Sequence, residues 1–400
     1  MKSISGIIFQ HFPPVGKDGE IGSISLNLYC GRLLGIPFST ISWGRFATLA
    51  FRFYSLAILS TISILYTYCE VLDMMDAYQD MDALTQNISL SFTHIGGVLK
   101  GINVLYHLPE IMEIVNILKD TFRKYTISDK QRFCSFQRKI LTSSEKFNTY
   151  IFLGYMSAVS FTAFAGAFVV IANPSIAGSS FPYRSKLPKY LPLSVRVCYH
   201  ATSALVIAVQ VVILDSLNIN FINQIRCQLR VLNLNVENLK DGKVSNPKRL
   251  LSRCVQHHQI IMDLRNRIER IFSYQLLIQF FTSLLIFALT GFQATTARLS
   301  DGMIILYMYL GCIFSELFIY CFFANQVMDQ NQLLAITGYD SAWYTFGTKY
   351  TKDLIFFLLR AQKPVTFSVG GFFDLSLNTF TGILGKSYSF IALLRQVYSE

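Results

Sequence analysis

The sequence predicts an all-α, polytopic membrane protein with seven transmembrane helices, and three observations carry that prediction. Apolar residues make up 52% of the 400-residue chain and charged residues only 15%. A soluble domain carries about 25% charged residues because its surface must face water, so much of this chain must face lipid. Apolar runs of roughly 20 residues, enough to cross a hydrocarbon core about 30 Å thick, recur along the chain, and Lys and Arg gather on alternate sides of them. The 34 Phe and 21 Tyr suit the same environment, since aromatic rings tolerate both hydrocarbon and its interfaces.

The first run, near 46–69, is uncharged from Phe53 to Cys69, with Arg52 placed to snorkel. The second, near 83–105, is weakened by Asn87, His94 and Lys100. The third spans about 147–172 within an uncharged stretch from Phe147 to Tyr183. The fourth, near 194–215, lies between Arg196 and Asp215. The fifth is clearest, because nothing charged occurs between Arg270 and Arg298. Glu316 interrupts the sixth, near 302–326, and the seventh, near 372–397, contains Lys386 and Arg395.

Orientation follows from the loops. With the N-terminus inside, segments 1–45, 106–146, 217–270 and 327–368 hold 26 of the 35 Lys and Arg. The outer segments 70–82, 173–193 and 294–301 hold four. Positive residues favour the cytoplasmic side, so the N-terminus is expected inside and the C-terminus outside, opposite to a G-protein-coupled receptor. The division is then a cytoplasmic N-terminal segment (1–45), helices one to four (46–216), a cytoplasmic helical extension (217–270), helices five and six (271–326), a cytoplasmic anchor segment (327–371) and the last helix (372–400). No apolar core with a cleavage site occupies the first 40 residues, so the mature chain is expected to begin at Met1.

The inner loops read as helix. Leu229, Leu232, Val236 and Leu239 recur at spacings of three and four, as do Ile261, Leu264, Ile268 and Ile271. Gly242, Asn246 and Pro247 mark a turn between the two stripes. Apolar stripes need partners, so the membrane helices are expected to continue inward and pack as an anchor bundle.

The net charge of +11 does not indicate nucleic-acid binding, because the cations sit between apolar runs rather than on one patch. Eight cysteines lack CxxC or metal-ligand spacing. Cys69 and Cys198 alone fall near the outer side, leaving a bridge and two unpaired thiols both open. No nucleophile elbow, zinc helix, phosphate loop or paired carboxylates within a span are present, so an enzyme is not expected. The outer loop 70–82 is purely acidic, with Glu70, Asp73, Asp76, Asp80 and Asp82. The sequon Asn87-Ile88-Ser89 lies at its edge, a chemically competent glycosylation acceptor close to the bilayer.

Several blocks occur in a fixed order. Cys254-Val-Gln-His-His-Gln-Ile-Ile261 precedes Ile268-Glu-Arg-Ile-Phe-Ser273 and Gln279-Phe-Phe-Thr-Ser283. Tyr320-Cys-Phe-Phe-Ala-Asn325 precedes Gln332-Leu-Leu-Ala-Ile-Thr-Gly-Tyr339 and Trp343-Tyr344. The tail reads Arg360-Ala-Gln-Lys-Pro364, Phe372-Phe-Asp-Leu-Ser376, Thr379-Phe380 and Ser387-Tyr-Ser-Phe-Ile-Ala-Leu-Leu-Arg-Gln-Val397. Together these blocks, roughly residues 254–398, resemble the insect odorant receptors. The first 250 residues match mainly by hydropathy and loop charge. Gly338 departs from the pattern, which often has Ala there. The ending typical of the sister gustatory receptors is absent.

The resemblance implies a subunit of a ligand-gated, non-selective cation channel in the plasma membrane, a heterotetramer of this tuning receptor with a shared co-receptor. The last helix would line the pore. Leu393 and Val397, four residues apart, share a face, and by their place in the tail they resemble the family's gate, with Gln396 beside them. Rings of such side chains close pores by dewetting; lipid-facing or packing roles are the plain alternative. Lys386 and Arg395 suit a cation pore poorly, so they either point off axis or occur in few copies.

A small volatile ligand is expected in the outer halves of spans two, three, four and six. Its lining would come from Phe92 and Ile95; Phe161, Phe164, Ala165 and Phe168; Tyr199, Ser203 and Val206; and Met303, Tyr307 and Met308. Tyr199 and Tyr307 are favoured for hydrogen bonding, and ordinary helix packing is the alternative for each. Lys100 and Glu316 lie at similar depths and are open to pairing. His94 reads as a hydrogen-bonded interior residue, and His257 and His258 lack zinc-ligand spacing. No cofactor or metal is implied. A gustatory receptor or a secondary transporter remains the alternative, the latter without visible internal symmetry.

Overall fold

The computed structural model describes residues 21–38, 45–76, 81–126, 131–172, 192–240, 246–296 and 301–399. The first 20 residues, most of the expected outer loop 173–193, and the side chains of Cys134, Ala165, Met303 and Val397 lie outside the described residues.

A short helix α1 (Gly22–Leu33) precedes the long helices. Next come α2 (Arg45–Asp76), α3 (Met81–Tyr106), α4 (Leu108–Thr126) and α5 (Gln131–Ala172). Then follow α6 (Leu193–Glu237), α7 (Pro247–Thr296) and α8 (Asp301–Tyr339). The chain ends with α9 (Thr348–Ala361), a two-stranded hairpin (β1 Ser368–Val369, β2 Phe373–Asp374) and α10 (Leu377–Ser399). Among the described residues, five helices are long and apolar enough to cross a membrane: Arg45–Asp76, Asn87–Tyr106, Ser194–Glu237, Pro247–Gln293 and Tyr307–Thr345. The protein is an all-α, polytopic membrane protein.

Length separates two ends of the bundle. With 45, 50 and 39 residues, α6, α7 and α8 reach about 60–75 Å at 1.5 Å per residue, roughly twice a hydrocarbon core. Their surplus packs with α4 and α9 at what is termed here the extended end. Leu229, Leu232, Val236, Leu239, Ile261, Leu264, Ile268 and Ile271 are all 0–1% exposed there, and α6 stops at Glu237 before α7 starts at Pro247.

Two charges read from sequence as edges are interior. Helix α2 runs through Glu70 to Asp76, and Glu70 is 1% exposed, so the stretch from 70 is not simply an acidic loop. Asp215, read as the end of the fourth span, sits mid-helix and is buried. In both cases a partner on another helix lies within hydrogen-bond distance, His94 at 2.6 Å for Glu70 and Lys100 at 2.7 Å for Asp215. The seven described cysteines are free, which settles Cys69 and Cys198 as unpaired thiols.

The hairpin was not foreseen, since two-residue strands leave no periodic pattern. Gly370 and Gly371 adopt φ of +59° and +77°, a region that costs glycine little. The hairpin docks on α7: Ser368 N–H donates to Glu269 at 2.8 Å, Ser273 Oγ donates to Ser368 O at 2.9 Å, and Gly370 N–H donates to Ser273 O at 3.1 Å. Thus Ile268–Ser273 and Phe372–Ser376 are one contact, seating the base of α10 on α7. Ser376 Oγ then accepts the Thr379 N–H at 3.2 Å, satisfying a free donor at the start of α10.

Candidate ligand site and last helix

At the end opposite the extension, α2, α3 and α6 enclose a polar, aromatic cluster. Tyr66 is fully buried, with ring centroids of His94, Tyr199 and His200 at 5.9, 6.1 and 5.8 Å. His94 Nδ1 lies 2.6 Å from Glu70 Oε2, both side chains being buried. A π-helical stretch, Ile58–Ile64, interrupts α2 here, a feature frequent at functional sites. The Tyr199 hydroxyl donates to the Thr61 carbonyl at 2.6 Å. Ser203, one turn along α6 from Tyr199, is fully buried. Donors and acceptors framed by rings and apolar walls are what orients a small, mainly apolar molecule.

The predicted pocket residues separate into two groups. Phe92, Ile95, Tyr199 and Val206 are half-buried and Ser203 buried, on α3 and α6. Phe161, Phe164 and Phe168 on α5 are 58%, 68% and 72% exposed, and Tyr307 and Met308 on α8 are 44% and 36% exposed. Tyr66, Glu70 and His200, which the sequence does not single out for a pocket, are buried in the cluster, and on α8 Tyr309 rather than Tyr307 points inward. Tyr309 hydrogen-bonds Thr93 and donates to the Ser89 carbonyl at 3.1 Å, bridging α8 to α3. Two residues along a helix is about half a turn, so aromatic content alone could not separate them. Asn87 is 1% exposed and its Nδ2 donates to Asp73 at 2.7 Å, so the nitrogen a glycan would need is enclosed and engaged.

Further along, four helices share a buried ionic network. Lys100 Nζ on α3 donates to both oxygens of Asp215 on α6 at 2.7 Å and to Gln279 Oε1 on α7 at 2.5 Å. Glu316 on α8 is 4.0 Å away, so it is the ammonium's second neighbour and Asp215 the first. Tyr320 completes the ring, donating to Asp215 at 3.0 Å. Charges out of water persist only when paired and hydrogen-bonded, and this network ties α3, α6, α7 and α8 together.

His257 and His258 serve packing. His257 stacks on Tyr125 at 4.1 Å and its Nε2 lies 2.9 Å from Gln228 Oε1. Burial lowers the two imidazoles to about 3 and about 4. Among the described residues no group of three or more His, Cys, Asp or Glu could hold a metal.

Helix α10 packs by one stripe. Phe380, Ile383 and Ser387 are buried, and Ile391 meets α7 at Gly291, where an added Cβ would lie 2.3 Å from Ile391 Cδ1. Another face of the helix is open: Lys386, Ser389, Ala392, Arg395 and Gln396 are exposed, and Leu393 is 56% exposed.

Residues 80–388 match the family model described as 7tm Odorant receptor. A multi-pass helical bundle with an enclosed polar cluster is the class so defined, and the chain belongs to the odorant receptor family. Relatives include odorant receptor 85c of Drosophila melanogaster, 32% identical over 40% of this chain and 41% of that protein. Putative odorant receptor 92a of the same fly is 24% identical over 73% and 72%. The fold is similar to the solved insect olfactory receptor OR5 from Machilis hrabei in complex with eugenol, with a TM-score of 0.73 and 19% identity over 94% of this chain and 97% of that one.

Proposed function

We propose that the protein is an odorant-binding subunit of a ligand-gated, non-selective cation channel of the plasma membrane, assembled with the family's co-receptor as a heterotetramer. It crosses the membrane seven times, with the N-terminus inside and the C-terminus outside. A small volatile molecule binds among α2, α3, α5, α6 and α8 in their outer halves, and α10 lines the pore. Ligand that binds the open state better than the closed one shifts the equilibrium toward conduction.

The observation that carries this reading is the open face of α10. A lone apolar helix with that much uncovered surface calls for partners or water. Leu393 and Gln396 lie on it, as a gate of apolar side chains with a polar neighbour requires. Lys386 is seven residues before Leu393 and shares its side, whereas Arg395 lies about half a turn away. Four copies of Lys386 around one axis would repel cations, and a heteromer with few copies of this chain avoids that.

The test is to record from cells expressing the chain with and without the co-receptor while applying a panel of volatiles. Ligand-gated cation current only with the co-receptor is expected. Robust current from this chain alone would remove the heteromer, and a C-terminal tag inaccessible on intact cells would reverse the orientation.

A further inference from the structure

At the extended end, where α5, α6 and α8 meet, a groove of about 450 Å³ is lined by three cations, Lys139, Arg226 and Arg230, and three rings, Phe147, Phe322 and Phe323. Among the described residues no carboxylate lines it. Arg226 is held in place by neutral groups: Nε donates to Asn223 Oδ1 at 2.7 Å, Nη1 to Gln326 Oε1 at 2.8 Å and Nη2 to Ser144 Oγ at 2.7 Å. Its guanidinium lies 5.5 Å from the Phe323 ring centroid. These contacts orient the cation without neutralising it. Glu145, next to Ser144, is buried and hydrogen-bonded by Ser23 and Gln224; it feels the Arg226 charge but makes no hydrogen bond to the guanidinium and does not line the groove. Arg230 follows Arg226 by one turn and Lys139 faces it from α5, both exposed.

The groove's level in the bundle decides between anions. Phe147 opens the apolar run 147–172, and Phe322 and Phe323 close the run 302–326, so the rings mark one edge of the hydrocarbon. Arg226 is eleven residues past Asp215 on α6, about 16 Å further toward the extension. Cations just beyond an aromatic edge stand where lipid phosphates lie, and Phe147, 50% exposed, offers a surface to an acyl chain. A free anion would need only the cations; a phospholipid uses both walls. We infer that this groove binds the phosphate headgroup of an anionic phospholipid. It goes beyond the receptor reading, and on the orientation proposed above the leaflet is the cytoplasmic one.

The test uses the full-length receptor in phosphatidylcholine discs, titrated with a fluorescent phosphatidylinositol phosphate. Lys139→Gln with Arg230→Gln should weaken binding roughly thirtyfold, each cation near a membrane surface being worth a factor of about five. The charge-keeping pair Lys139→Arg with Arg230→Lys should retain it and guards against misfolding. Unchanged affinity in the neutralised pair would overturn the site. Displacement of the probe by inorganic phosphate as readily as by unlabelled lipid would overturn the lipid assignment. Odorant-evoked currents from the same variants report separately on the receptor reading, which does not depend on this groove.

Discussion

The two ends of the bundle are built by different rules. At the extended end, the apolar stripes of α6 and α7 are closed off to 0–1% exposure, as in a soluble core. Toward the other end, α2 buries only 11% of its most apolar window, and α5 leaves three phenylalanines open. Glu70 and His94, 2.6 Å apart, are buried there together with His200 and Ser203. A dense anchor supplies the fixed frame, and a sparsely packed half supplies surfaces that a ligand, lipid or neighbouring subunit can occupy. Stability should reside in the first and adaptability in the second.

The largest test of that contrast lies at the junction. Lys100→Met would leave Asp215 buried without its cation, costing about 3–5 kcal/mol, so surface expression and thermal stability should collapse. Lys100→Met with Asp215→Leu should recover much of both, whereas equal failure of the pair would mean that α3 and α6 are joined by something other than the charges.

A smaller effect is expected where α10 meets α7. Gly291→Val forces Ile391 aside, an overpacking worth about 1–3 kcal/mol, and should alter basal open probability without lowering surface expression. Ile391→Ala should restore it. Wild-type gating in Gly291→Val would show that the two helices need not touch there.

The smallest effect concerns α1. Burial, opposed by hydrogen bonds from Ser23 and Gln224 and by the Arg226 charge, pushes the Glu145 carboxyl up to about 7. The packed state therefore prefers the protonated acid. That preference is fully present below about 4.5, the ordinary value, and is lost as pH rises through about 7. Hydrogen exchange of residues 22–33, corrected for intrinsic rates, should accelerate relative to the rest of the chain between pH 5 and pH 8 (roughly the span of that titration). Glu145→Gln should flatten the profile, and a slope that survives this substitution would assign it to another group.

Much of the dense end was legible in the sequence, because burial at spacings of three and four leaves a periodic signature. Leu229 through Leu239 and Ile261 through Ile271 stood out for that reason, and Pro247 announced the turn. The other end was legible only in part. Hydropathy treats any charge as a boundary, so Asp215 was read as an edge although its partner lies 115 residues away on α3. Glu70 was misread likewise, its neighbour His94 being on another helix. Phe161, Phe164 and Phe168 illustrate a second limit: in lipid, an apolar side chain is equally at home facing in or out, so composition cannot assign its face. The motifs 268–273 and 372–376 were visible as words, but that they touch each other emerged only in three dimensions.

The claim on which the account turns is that the open face of α10 meets the conduction route, and thiol accessibility tests it most directly. In channels recorded with the co-receptor, Leu393→Cys should let a charged, water-borne thiol reagent reduce odorant-evoked current. Ser387→Cys, on the stripe against the bundle and 3% exposed, should be indifferent, with the parent channel controlling for exposed Cys198. Current through Leu393→Cys that ignores the reagent, or equal block through Ser387→Cys, would contradict the assignment of α10 to the pore.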